Sequence, residues 1–262
     1  KSNGISFSRL IPLLDFCAVS IAADIVPVTG ENRILAYHGL KQLNQNPNIG
    51  LKAIIDICGL NGRTLSMSDI VFKIGPRINA SGRMENGRES VNLLVEKDFA
   101  VAFDKAKHIN EYNEQRKDID KQMTEEANLI VGRLESQQKH SSIVLYDENW
   151  KKGVIGIVAS RLTEIYVRPT VVLTRDGELA TGSARSVAGF DIYAAIKSCR
   201  DLLLNFGKHP IIVEYAGDLI AAQATCLANT SFLRDAMEYH KVPVYLHSTV
   251  TVSYTHLTLP TT

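Results

Sequence analysis

Several features that would have settled the class of this sequence are missing from it. Cys17, Cys58, Cys199 and Cys226 stand far apart with no Cys-x-x-Cys pair. That spacing indicates neither a zinc site nor a disulfide framework and reads as buried thiols. No apolar run approaches the roughly 20 residues that cross a bilayer, and the first residues lack the charged-then-apolar layout of a secretory signal. A cytoplasmic protein without a membrane partner is therefore expected. A charge excess is missing too: 29 Lys and Arg against 28 Asp and Glu leave a formal net charge of +1. A dedicated non-specific nucleic-acid binder shows a strong basic excess, so any polyanion site here must be local. Internal repeats and low-complexity linkers are absent from the body of the chain.

What is present is an apolar content of 45% over 262 residues, enough for one large or two ordinary domains with real cores. Leu10 to Ala23 is apolar at helical spacing and delivers Asp24 to an edge, ahead of a loop at Pro27, Gly30 and Asn32. Two short helices follow, with turns at Asn46-Pro47-Asn48 and Asn61-Gly62. Ser66 or Ser68 then caps a segment with Asp69 in its first turn, which stops at Gly75-Pro76. From Asp98 to about Gln138, apolar residues recur at threes and fours, predicting one amphipathic helix interrupted by Arg116. About 36 residues span roughly 54 Å, the size of a strut between two domains; a coiled-coil arm is the alternative. Beyond it the pattern alternates: strand 142–146, helix 153–166, strands 169–174 and 179–185, helix 190–204. That predicts a second, α/β domain.

Five places could carry chemistry. "KIGPRINASGRMENGRES" gathers Arg77, Arg83 and Arg88 around Gly75, Pro76 and Gly82, and reads as an arginine-rich turn, either solvated or anion-binding. Gly153 and Gly156 open the helix of "KKGVIGIVASRL", where unpaired N–H groups favour an anion and tight packing explains the glycines equally well. "GSARS" places Ser183 and Arg185 two apart on a strand, hence on one face, as a hydroxyl beside a guanidinium fork suited to phosphate. His209 in "FGKHP" is a phosphate donor or a surface imidazole, and Asp24 is a helix cap or a metal ligand. Taken together, they make a phosphate-bearing ligand contacted from both domains the economical reading.

"AADIVPVTGENR", "GPRINASGRM", "WKKGVIGIVASRLTEIYVRPTVVL" and "GSARSVAGFDIYAAIKSCRDLLLNFG", in this order and at these separations, closely resemble the RecJ family of single-strand-specific 5′→3′ DNA exonucleases in the DHH phosphoesterase superfamily. The resemblance covers about residues 3 to 209. It implies an α/β protein of two lobes: the C-terminal part of a DHH catalytic domain over 1–90, a connecting helix over 91–140 and a DHHA1-type substrate-binding domain over 141–210. It implies a monomeric metal-dependent phosphodiesterase of DNA repair and recombination using two Mn²⁺ or Mg²⁺ ions. Asp24 matches the last aspartate of the family's metal set. Arg77, Asn79 and Arg83 match the motif lining the strand entrance, and Ser183 and Arg185 the pair holding the phosphate near the 5′ end. His209 matches a phosphate donor. Single-stranded DNA is the implied partner.

Three departures accompany the resemblance. The family's Asp-x-Asp near the start and its Asp-His-His are absent, and Gly207-Lys208-His209-Pro210 stands where the family has Gly-Gly-His-x-x-Ala-Ala-Gly. Residues 211–262 do not read as the oligonucleotide-binding barrel the family continues into. The closing "SYTHLTLPTT" has the look of translated non-native sequence and is assigned no fold. The chain, which starts at Lys1, is thus expected to be an internal fragment that does not cleave DNA by itself. A DHH-type oligoribonuclease and a catalytically dead nucleic-acid-binding relative are the alternatives.

Overall fold

In the computed structural model, residues 7–24, 26–137, 141–198, 203, 205–207 and 244–248 are described. The chain divides into two units, 1–117 and 118–262.

The first unit is helical throughout its described residues. After two 3₁₀ turns, Phe7–Arg9 and Ile11–Leu13, come α1 (Leu14–Ala23), α2 (Gly30–Gln45) and α3 (Ile49–Ile57). They are followed by α4 (Met67–Asp69), a π-helical turn (Ile70–Ile74), α5 (Gly75–Met84), α6 (Arg88–Leu94) and the first part of α7 (Phe99–Gln137). The small residues of "CAVSIAA" let α1 and α2 approach closely. A Cβ at Gly39 of α2 would stand 2.1 Å from the Leu14 carbonyl oxygen and 2.7 Å from Ala18 Cβ. Leu43, Leu51, Ile54, Ile70, Ile74, Leu93 and Ile109, all at most 1% exposed, fill the core. Fully buried Asp15 serves the start of α3: it accepts the Asn48 backbone N–H at 2.7 Å and the Asn48 amide at 2.7 and 2.8 Å. A buried carboxylate is tolerated because it is fully hydrogen-bonded.

The region read as an arginine-rich turn is a helix instead. Ser66 caps α4 in a capping box with Asp69, and the chain does not stop at Gly75-Pro76. The Gly75 N–H bonds back five residues to the Ile70 carbonyl, and α5 continues to Met84. Proline needs no donor at the start of a helix and brings the right φ. Gly75 is favoured by closeness, since a Cβ there would lie 3.1 Å from Ile70 O and 3.3 Å from Ala23 Cβ.

The second unit is an α/β layer. A five-stranded sheet runs in the order β1 (Ile143–Tyr146), β2 (Thr170–Asp176), β3 (Leu179–Arg185), β5 (Val244–Ser248), β4 (Asn205–Gly207). The β1/β2 pair is parallel, joined through α8 (Ile155–Tyr166), whereas β2 and β3 form an antiparallel hairpin. The hairpin turns on Gly177 at φ +66°, the first residue of a two-residue loop, where positive φ favours glycine. Strand β5 pairs parallel with both β3 and β4. Helix α9 covers Ile192–Lys197, shorter than the expected 190–204, and residues 199–202 lie outside the described set. Within 211–262, given no fold from sequence, Val244–Ser248 is a strand; His209 and "SYTHLTLPTT" lie outside the described residues.

The C-terminal part of α7 closes this second core through Met123, Ala127 and Val131 against Leu145, Trp150, Val154, Val158, Leu162 and Val172. Three polar clamps fix its phase. Arg161 holds buried Asp120 through Nε at 3.0 Å and Nη2 at 2.8 Å, Trp150 Nε1 donates to Glu126 at 2.9 Å, and Tyr166 OH donates to Asn128 at 3.0 Å. With 39 residues, α7 is about 58 Å long.

Candidate functional site

In the first unit, the helical run 67–84 positions the basic residues. The run is tied down at its start. Burial pushes the Asp69 carboxyl up, but the Ser66 backbone N–H and hydroxyl, Lys73 and Arg63 outweigh it and hold the pKa at about 2. About two helical turns along, Arg77 is half-buried: its Nε donates to Asn110 Oδ1 at 2.9 Å and its Nη1 to the Lys73 carbonyl at 2.8 Å. Arg77 therefore braces α7 and the π turn. Asn79 and Arg83, four residues apart and both exposed, share the opposite, solvent face of α5. The structure thus brings Asn79 and Arg83 together and sets Arg77 apart from them.

Asp24 follows α1, its backbone N–H closing the helix on Ser20 O at 3.0 Å and its side chain exposed. The contact of Ala23 with the Gly75 position puts it beside the start of α5. Among the described residues, no three His, Cys, Asp or Glu side chains converge as a metal-binding group. One carboxylate does not hold two ions, so the residues present do not fit a two-metal centre.

In the second unit, the sequence pairing of Ser183 with Arg185 is realised on one face of β3, and the first turn of α8 lies against it. The helix begins at Ile155, so Gly153 belongs to the preceding turn and only Gly156 is in the first helical turn. A Cβ on Gly156 would stand 3.0 Å from Ser183 Oγ and 3.1 Å from Arg185 Nη2; the missing side chain is what lets the helix approach. Arg185 donates from Nε to Ser160 Oγ at 2.8 Å, and from Nη1 to Ser183 Oγ and Ala184 O, both at 2.8 Å. The Ser160 hydroxyl in turn donates to the Gly156 carbonyl at 3.1 Å. Ser183 is 3% exposed and Arg185 half-buried. A hydroxyl that accepts keeps its own O–H as a donor, so the cluster pairs an aligned guanidinium with a hydroxyl at the first turn of a 12-residue helix. Ser160 is a member that the sequence reading misses; its four-residue spacing from Gly156 is the available signal.

Similarity to known proteins follows the same regions. Residues 138–219 match the DHHA1 domain. The single-stranded-DNA-specific exonuclease RecJ of Bacillus subtilis strain 168 is 38% identical over 201 residues, covering 76% of this chain and 25% of that protein. RecJ of Escherichia coli K12 is 32% identical over 215 residues, covering 79% and 37%. Among solved structures, RecJ of Thermus thermophilus in complex with Mn²⁺ superposes with a TM-score of 0.69 at 27% identity, covering 92% of this chain and 36% of that one. The Mg²⁺ complex of the same protein gives 0.67 at 26%, covering 92% and 37%. The chain thus spans about a quarter to two fifths of these relatives' length, no described helix is long and apolar enough to cross a membrane, and over the matched three quarters the chain belongs to the RecJ family.

Proposed function

We propose that this chain carries the strand-binding part of a RecJ-type, single-strand-specific 5′→3′ DNA exonuclease of repair and recombination, acting in the cytoplasm, and does not cleave DNA by itself. Each unit supplies its own phosphate contacts: Asn79 and Arg83 from the face of α5, Ser183 and Arg185 from β3. Arg77 supports the first set by holding α5, and Ser160 the second by holding the guanidinium. Asp24 is the one residue proposed to belong to the family's metal set; hydrolysis needs further ligands, and Mn²⁺ or Mg²⁺ chemistry is not assigned to these residues.

The observation that carries the reading is the Gly156, Ser160, Ser183, Arg185 cluster. A guanidinium already oriented by three hydrogen bonds loses little side-chain entropy on meeting a phosphate. Such contacts give affinity without sequence preference, and each phosphate neutralised on a single strand adds about 0.7 to the slope of log K against log salt. Fluorescence anisotropy with a labelled dT12 from 50 to 300 mM KCl tests it. Arg83→Ala and Arg185→Ala are each expected to weaken binding at low salt and lower the slope by roughly 0.7. Equal weakening at every salt concentration, with the slope unchanged, would remove the phosphate assignment.

A further inference from the structure

The aromatic ring of Phe72 is conspicuous for its position. It is 65% exposed, in the middle of the π turn, and among the described residues its ring meets no aromatic or cationic partner. The other exposed rings of this unit are engaged: Phe99 with Phe103 and Lys52, Tyr37 with His38. The orientation of Phe72 is built in. Ile70 and Ile74, both 0% exposed, pin the two ends of the turn into the core, so the residue midway between them is turned outward. The i→i+5 bond from Gly75 to Ile70 fixes that widened turn, and π-helical turns are found frequently at functional sites.

From Phe72, Asn79 lies seven residues along the helical run and Arg83 eleven. Eleven residues of helix rise about 16 Å, and Phe72, Asn79 and Arg83 are each exposed along that length. Nucleic-acid tracks for unpaired strands combine basic and polar groups along the backbone with aromatic rings on which bases stack. We propose that Phe72 is a base-stacking platform for single-stranded DNA, at the N-terminal end of the phosphate contacts made by Asn79 and Arg83. This rests on the proposed strand-binding function and adds a contact to the bases, independent of charge.

The test compares dT12 with an abasic deoxyribose-phosphate 12-mer of equal charge, using the full chain. Wild type is expected to bind dT12 about tenfold more tightly than the abasic strand. Phe72→Ala should bring dT12 down to the abasic level by the same factor at every salt concentration, leaving the salt slope intact. Phe72→Trp should restore the preference and report it directly, because its emission is quenched by dT12 and not by the abasic strand; the sole native tryptophan, Trp150, is buried. Salt-dependent binding of both strands with equal affinity would overturn the stacking proposal while leaving the phosphate contacts standing. A preference for dT12 that survives Phe72→Ala would overturn it as well, and failure of wild type to bind either strand would remove both readings.

Discussion

The two units carry their proposed phosphate contacts in opposite styles. In the helical unit, Asn79 and Arg83 sit exposed on α5 and the structural work is done by Arg77 on the other side of the same helix. In the α/β unit, Arg185 does both: it is bound to Ser160, Ser183 and the Ala184 carbonyl while it faces the first turn of α8. A half-buried side chain held by three hydrogen bonds loses more of its rotamer freedom during folding than an exposed one does. Equal charge changes should therefore hurt more in the second unit, and steric changes should matter only there.

The largest effect expected from this contrast is at Gly156. Gly156→Val places carbon against Ser183 Oγ and Arg185 Nη2 and should weaken dT12 binding at least tenfold, measured by anisotropy at 50 mM KCl. Gly82→Ala is its counterpart in the first unit. A Cβ there meets only Gly87, its Cα at 3.7 Å, so binding should be unchanged and the helix more stable by up to about 1 kcal/mol. Next in size is Arg77→Ala, which removes the donors to Asn110 and Lys73 O and should cost about 2 kcal/mol in urea unfolding. Arg83→Ala, six residues on and exposed, should cost less than this. If the two arginines destabilise equally, the division of labour along α5 is wrong.

A smaller effect sharpens the comparison through pH. The Asp69 carboxyl, at about 2 in the folded chain against an ordinary 3.8, contributes stability that is fully present above pH 4. That contribution is lost as the pH falls through about 2. Because Arg63 and Lys73 are nearly half exposed, screening limits it to about 1 kcal/mol. Unfolding of Asp69→Asn should show that deficit at pH 7, with the gap to wild type closing between pH 4 and pH 2. A gap that stays constant over this range would show that the carboxylate charge contributes nothing to the cap.

Much of the fold is legible because its signals are long or strictly periodic. The apolar stripe from Asp98 to Gln138 places the start of α7 to within a residue, and the hairpin of β2 and β3 follows from two β-rich runs around Asp176 and Gly177. The Ser183/Arg185 pairing can be read because strand periodicity is two. The GPRINASGR segment misleads because Gly75, Pro76, Asn79 and Gly82 each suggest a turn when taken singly. Proline at a helix start and a glycine packed beside Gly87 are compatible with a helix, and the π turn that joins them to Ser66 has no sequence signature. The separation of Arg77 from Asn79 and Arg83 depends on that helix, and so is hidden from a reading that lacks it. Ser160 escapes notice because a serine inside a helix looks neutral until β3 is placed beneath it.

The central claim is that this chain holds an unpaired strand chiefly by its phosphates, and one titration tests it most directly. Wild-type protein is titrated with phosphodiester dT12 and with an uncharged methylphosphonate dT12 across 50 to 300 mM KCl. The prediction is that the charged strand binds with a steep salt dependence, while the neutral strand binds far more weakly and with almost none. Equal affinity for the two strands, or the same salt slope for both, would contradict it.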